Sequence, residues 1–216
     1  MATVFRASAL RRDDLMTSKK PNDQGIERFW HLLENMKQQK RRGWMEKLGM
    51  RNAESVAEHS YAVAMLSLFE AARRGSGYDR KQLLELALIH DLEESLTGDF
   101  TPKDKRKLGS REVLRRRNVA QREILAVIPS AARSGWVKRW TDLRLRRTRE
   151  ARLVKEMDLL EMALQARAYG EARPADKSGV REFYRSAENG IGNARLRKLV
   201  HVLGEGSPVT KKKVRR

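Results

Sequence analysis

Apolar residues recur at helical spacing in run after run of this chain, and no stretch alternates apolar with polar long enough to make a strand. Ile26, Phe29, Trp30, Leu33 and Met36 open the pattern, and Gly43 is expected to stop that first helix. Ser55-Val56-Ala57-Glu58 has the form of a capping box, in which hydroxyl and carboxylate satisfy orphan amides at a helix start, so a helix is predicted over residues 56–73. Gly75-Ser76-Gly77 punctuates, and a third helix should run from residue 80 to about 96, ended by Gly98 with Pro102 beyond it. Residues 111–128, 131–144, 150–169, 176–187 and 194–203 all favour helix by composition. The expected fold is therefore all-α, with about seven to eight helices. Residues 1–22 read as a flexible N-terminal arm, 23–205 as one domain and 206–216 as a basic tail.

The chain contains no cysteine, which excludes disulfides, thiolate metal sites and a cysteine nucleophile, and which suits a reducing cytoplasm. Its longest apolar stretches, such as Leu83 to Ile89, are broken by charge and fall short of a membrane span. The arginines near the start are followed by Asp13 and Asp14 without an apolar core, so no secretory signal is expected. Basic residues number 47 against 28 acidic ones, and the resulting charge of +19 favours phosphate-bearing ligands. The excess concentrates in the Arg-rich segment 111–152 and in the tail from Lys211, where nonspecific nucleic-acid contact is the expected consequence.

Two of the four histidines sit among acids, at Glu58-His59-Ser60 and His90-Asp91-Leu92-Glu93-Glu94. The other two, His31 and His201, have the surroundings of ordinary helix positions. In the third helix Leu83, Leu86 and His90 share a stripe that continues into Asp91 and Glu94, because residues three and four apart fall on one face. Val154, Asp158, Glu161, Met162 and Gln165 repeat the pattern on a later helix. Carboxylates on a core-facing stripe are costly unless paired or bound to metal. Imidazoles with carboxylates suit a divalent ion such as manganese, cobalt, iron, nickel, magnesium or zinc, and they do not select among these.

A histidine, then His-Asp, then a distant Asp is also the signature of HD-domain phosphohydrolases, matched by His59, His90-Asp91 and Asp158. The runs Arg41-Arg42-Gly43-Trp44, Glu54-Ser55-Val56-Ala57-Glu58-His59-Ser60, His90 through Asp99 and Lys155 through Glu161 resemble those of the HD-domain 5′-deoxynucleotidase family over about residues 25–205. That resemblance implies an all-α, usually dimeric enzyme that hydrolyses deoxyribonucleoside 5′-monophosphates with one divalent ion, manganese, cobalt or similar. It implies His59, His90, Asp91 and Asp158 as metal ligands, and Glu94 as the group that handles the attacking water. Arg41, with Arg42 beside it, would hold the phosphate, Asp99 would lie near the sugar, and Trp44 would stand beside the substrate pocket.

Chemistry supports these roles independently. A phosphate monoester repels an anionic nucleophile, so a divalent ion that neutralises charge and acidifies water is useful. A glutamate can take the water's proton, and an arginine can clamp two phosphate oxygens with a planar fork. Arg115-Arg116-Arg117-Asn118 stands where relatives often carry acids, a departure that bears on nucleotide preference. Two other readings compete: an HD phosphohydrolase or phosphodiesterase for another nucleotide, and a basic nucleic-acid-binding protein that retains an HD core. Against the latter stand both candidate catalytic carboxylates and the lack of any aromatic-interleaved strand platform.

Overall fold

The computed structural model describes residues 23–75, 77–172 and 177–205. The expected arm 1–22 and tail 206–216 lie outside the described residues, as does the expected helix start at Asp176. Among the described residues there are eleven helices and no sheet: α1 (Asp23–Gln38), α2 (Arg42–Leu48), α3 (Val56–Arg73), α4 (Arg80–Ile89), α5 (Glu94–Thr97), α6 (Pro102–Leu108), α7 (Ser110–Val127), α8 (Ser130–Leu145), α9 (Arg149–Ala172), α10 (Lys177–Gly190) and α11 (Ala194–Gly204). The all-α expectation holds, but three of these helices are additional to the expected pattern or divide it. No helix among the described residues is long and apolar enough to cross a membrane.

α9 is the axis of the molecule, packing against α3, α4, α8, α10 and α11. Leu153, Val154, Met157, Leu160, Ala163 and Ala166 give it a buried stripe, and Val56, Val63, Ala64 and Ala71 face it from α3. Each large side chain taken fully out of water in this way contributes about 1.5–3 kcal/mol. α3 starts where its capping box says it should: Ser55 Oγ accepts from the Glu58 amide at 3.1 Å, and the Ser55 amide donates to Glu58 Oε2 at 2.6 Å. Asp79 starts α4 in the same manner, accepting from the Gln82 amide at 3.0 Å.

The first helix ends at Gln38 rather than at Gly43. Lys40 and Ser55 form an isolated antiparallel bridge, with Arg41 N donating to Glu54 O and Val56 N to Gln39 O, both at 2.9 Å. Gly43 is instead the second residue of α2, beside the Phe183 ring, where a Cβ would make an ordinary contact at 3.7 Å. Gly98 ends α5 as expected, and Pro102 beyond it also opens α6 at its first turn, with Thr101 and Asp104 forming a second capping box.

The expected single helix over residues 80–96 is divided. α4 ends at Ile89, and Leu92 N donates to Ile89 O at 3.2 Å and Glu94 N to Asp91 O at 3.0 Å, tight turns of the three-residue kind. All six residues from His90 to Ser95 are buried, which one face of a continuous α-helix cannot achieve because successive side chains point about 100° apart. The turn is instead enclosed from several directions, by α1 and α7 against α5 and by Trp140 of α8, whose Nε1 donates to the Ile89 carbonyl at 3.1 Å.

Candidate metal centre

Three separate elements bring the acidic and imidazole groups to one point. His59 lies in the first turns of α3, His90 caps the end of α4 with Asp91 next to it, and Asp158 is midway along α9. His59 Nε2 lies 3.1 Å from Asp158 Oδ1, 3.3 Å from His90 Nε2 and 3.8 Å from Asp91 Oδ2. His90 Nε2 lies 3.1 Å from Asp91 Oδ2. One donor atom from each of His59, His90 and Asp158 falls within a 4.8 Å cluster, and Asp91 Oδ2 reaches both imidazoles. The structure thus assembles all four residues of the expected ligand set.

The arrangement fits a cation chemically. His90 Nδ1–H is held by the Ala87 carbonyl at 2.7 Å, so Nε2 turns a lone pair toward the Asp91 oxygen, itself an acceptor. Only a proton or a metal between them satisfies both. His59 is fixed from behind by Glu161, whose Oε2 accepts from Nδ1 at 2.6 Å, the outer contact that orients a ligating imidazole. Burial and the Arg41 charge oppose protonation of His59, yet hydrogen bonds to Asp158 and Glu161 outweigh them and push its pKa up to about 9. A positive charge is therefore favoured at this point. Burial alone would raise the Asp91 and Asp158 carboxyls, but the imidazoles beside Asp91, and Lys155 with His59 beside Asp158, hold both well below the ordinary carboxylate range. Ionised carboxylates with imidazole nitrogens are the donor set of a borderline-to-hard divalent ion.

The cluster opens onto a cleft of about 880 Å³. Arg41, anchored through its amide to Glu54, lines it with its guanidinium 3.5 Å from Asp91 Oδ2. Glu94 lines it as well, 4% exposed, with Oε2 lacking any hydrogen-bond partner among the described residues. Burial, with the charges of Asp91 and Asp99, raises the Glu94 carboxyl well above its ordinary value. Glu93 beside it is pushed up to about 7, again chiefly by burial.

Asp99 borders the cleft and also caps α2, its Oδ2 accepting from the Arg42 amide at 2.7 Å. Two expected substrate contacts are corrected. The Arg42 side chain leaves the cleft for Asp104 at 2.9 Å and Glu46 at 2.7 Å, because surface carboxylates on neighbouring turns hold it there. Trp44 is 1% exposed in the core, its ring centroid 4.0 Å from that of Phe183 and its Nε1 donating to Glu54 Oε1 at 2.8 Å. It supports Glu54, which is raised to about 7 by burial and by Glu161, and it does not line the cleft.

Three contributors were not singled out for the site from sequence. Lys155 reaches Asp158 Oδ2 at 2.6 Å; Gln39, with its amide oriented so that nitrogen meets an acceptor and oxygen a donor, bridges the Glu94 carbonyl at 3.0 Å and the Asp99 amide at 2.8 Å; and Arg117 lies 3.6 Å from Glu94 and 3.9 Å from Glu93. Lys155 was legible as one turn before Asp158 on the same face. Of the Arg-rich run, Arg117 turns into the cleft, whereas Arg115 and Arg116 pair with Glu112 outside it.

Residues 33–199 match the family described as HD domain. A 5′-deoxynucleotidase HDDC2 from Mus musculus is 29% identical over 83% of this chain and 86% of its own length. Its counterpart from Danio rerio is 30% identical over 82% of this chain and 85% of its own. Among solved structures, a conserved hypothetical protein from Pyrococcus furiosus is 27% identical and superposes with a TM-score of 0.66, covering 83% of this chain and 99% of that one. With the histidines and aspartates of the cluster brought together on the helices those matches span, the chain belongs to the HD-domain family.

Proposed function

We propose that the protein is a metal-dependent 5′-deoxynucleotidase, converting deoxyribonucleoside 5′-monophosphates to deoxynucleoside and phosphate. The observation that carries the reading is the meeting, at one cleft, of a four-residue donor cluster with Arg41 and with Glu94, whose Oε2 has no hydrogen-bond partner among the described residues. The relatives named 5′-deoxynucleotidase support the substrate class.

A divalent ion held by His59, His90, Asp91 and Asp158 supplies Lewis acidity toward the phosphate and lowers the pKa of water. Arg41 binds phosphate oxygens with its planar fork; burial opposes its charge, but Asp91 and the other carboxylates around it outweigh burial and keep it charged and aimed. Lys155 orients Asp158. Glu94 accepts the proton of the attacking water, with an oxygen in the cleft that no hydrogen-bond partner among the described residues occupies. Asp99 borders the deoxyribose with the oxygen its cap leaves free.

Manganese or cobalt is the proposed ion, in keeping with an oxygen-and-imidazole donor set. A homodimer accompanies the reading, supported by the exposed Tyr61, Met65 and Phe69 on α3 beside Trp30 on α1. The basic tail is proposed to give nonspecific nucleic-acid affinity, and a cysteine-free sequence suits a cytoplasmic setting. The deciding experiment is a phosphate-release screen of metal-reconstituted protein over deoxy- and ribonucleoside mono-, di- and triphosphates and a cyclic diester. Release confined to deoxymonophosphates is expected; activity on the diester alone overturns the reading.

A further inference from the structure

Six basic side chains line the cleft, and they divide into two kinds. Arg41, Arg117 and Lys155 face the carboxylates of the cluster at 3.5, 3.6 and 2.6 Å. Lys105, Arg144 and Arg146 line the same cleft, yet no carboxylate or hydrogen-bond acceptor among the described residues engages their side chains. A single phosphate beside a divalent ion is already neutralised by that ion and Arg41. Three further cations without acidic partners, all open to the solvent of the cleft, raise its positive potential and so favour a second negative group there.

Arg146 adds an independent observation. It is the C-cap of α8 with φ of 50°, and among the described residues no other non-glycine has positive φ. Glycine is the usual residue at that point of a helix end because a Cβ is strained there. The chain keeps an arginine in this costly conformation where its side chain joins the cleft lining, and strain retained in this way is characteristic of ligand-binding positions.

We propose that Arg144 and Arg146, with Lys105 in the lining of the same cleft, form a second anion subsite that takes a phosphoryl group on the 3′ oxygen of the nucleotide whose 5′-phosphate lies at the metal cluster. The inference rests on the nucleotidase reading for the position of the 5′-phosphate. These cations are carried by α6 and the end of α8, elements that hold none of the four ligands, and unlike Arg41, Arg117 and Lys155 none of them pairs with a carboxylate of the cluster, which leaves them for a group on the nucleotide other than its 5′-phosphate. A deoxyribose has one other oxygen to bear phosphate, the 3′ oxygen. The cleft volume, about 880 Å³, is near the top of the range for small-ligand pockets and leaves length for both groups. The substrate class is a deoxynucleoside 3′,5′-bisphosphate or the 5′-phosphorylated end of a short oligodeoxynucleotide, which share this chemistry.

The test is calorimetric binding at fixed manganese and 0.15 M salt, in a Glu94→Gln background that slows turnover. The probes are deoxyadenosine 5′-monophosphate, its 3′,5′-bisphosphate, its 5′-diphosphate and a 5′-phosphorylated dinucleotide. The bisphosphate should bind roughly tenfold more tightly than the monophosphate, as expected for one or two charge-assisted contacts. Arg144→Gln and Arg146→Gly should each remove most of that advantage and leave monophosphate affinity within about twofold. Arg146→Gly should also raise the melting temperature, which loss of a structural arginine would not do. An advantage for the dinucleotide without one for the bisphosphate makes the ligand an oligonucleotide end, and the reverse makes it a terminal 3′-phosphate. Equal affinities of the bisphosphate, dinucleotide and monophosphate overturn the proposal, as does an advantage that both variants keep or one shared by the 5′-diphosphate. If the protein with native Glu94 releases no phosphate from any 5′-nucleotide, the nucleotidase reading fails while these affinities still decide the subsite.

Discussion

Two buried charge clusters sit about three turns apart on α3, and they are built to opposite ends. Near its C-terminus, Glu70 is enclosed by Arg73, Arg74 and Arg195, with guanidinium contacts of 2.5–2.9 Å covering both oxygens. Near its N-terminus, His59 stands among Asp91, Asp158 and Glu161, where acceptors face acceptors. The first cluster is complete within the chain and ties α3 to α11. The second gathers more negative groups than its cations satisfy, and a protein tolerates that where an external cation completes the set. A charged group in the core is thus no sign of function by itself; the missing counter-charge is.

The largest effect should come from emptying the incomplete cluster. Asp158→Ala is expected to lose bound metal by elemental analysis and phosphate release together, and full metal retention would remove Asp158 from the ligand set. Glu94→Gln should lower turnover by roughly 10²–10⁴ with metal content unchanged, since it removes the proton acceptor and keeps the shape. Glu161→Gln should weaken metal affinity roughly 10–100-fold, measured by chelator competition, because it releases His59 from behind.

The complete cluster should respond in stability alone. The arginines, Arg73 foremost and against the opposing effect of burial, hold Glu70 down at about 2 from an ordinary 4.5. Its stabilisation is therefore fully present above pH 4.5 and is lost as pH falls through about 2. Glu70→Gln should melt several degrees lower at pH 7, converge with the native chain near pH 2 and keep its metal and turnover. Loss of metal in this variant would join the two clusters and break the comparison. The smallest effect is at Asp99: Asp99→Ala should cost about 1 kcal/mol by uncapping α2. A narrowed deoxy-to-ribo ratio of catalytic efficiency in the same variant assigns it to the sugar as well, whereas an unchanged ratio leaves it a cap.

Much of this was readable in the chain itself. The capping box marks the start of α3 to the residue, the inward stripes carry His90, Asp91 and Asp158, and the resemblance to HD-domain enzymes adds His59 to the set that the fold brings together. Local rules failed where tertiary contact reassigns a residue's meaning. Gly43 signals a helix end by propensity but lies in the first turn of α2, a helix that begins only after the Lys40 bridge. The division at His90 follows from burying six consecutive residues, a demand made by the surrounding helices and absent from local periodicity. The Trp44 and Arg42 side chains were misdirected for the same reason, since neighbours in a motif share sequence without sharing a direction.

The bridge between Lys40 and Ser55 has a consequence for how the chain can change length. It pinches the backbone shut on both sides of residues 42–53, so Arg41 and the start of α3 are tied to each other and not to the contour of what lies between. Entropy charges little for enlarging a loop that is already closed. Extra residues at the exposed Arg51-Asn52 turn can therefore lengthen the detour without moving Arg41 relative to His59, which makes that turn a natural place for insertion in an otherwise tightly wound molecule.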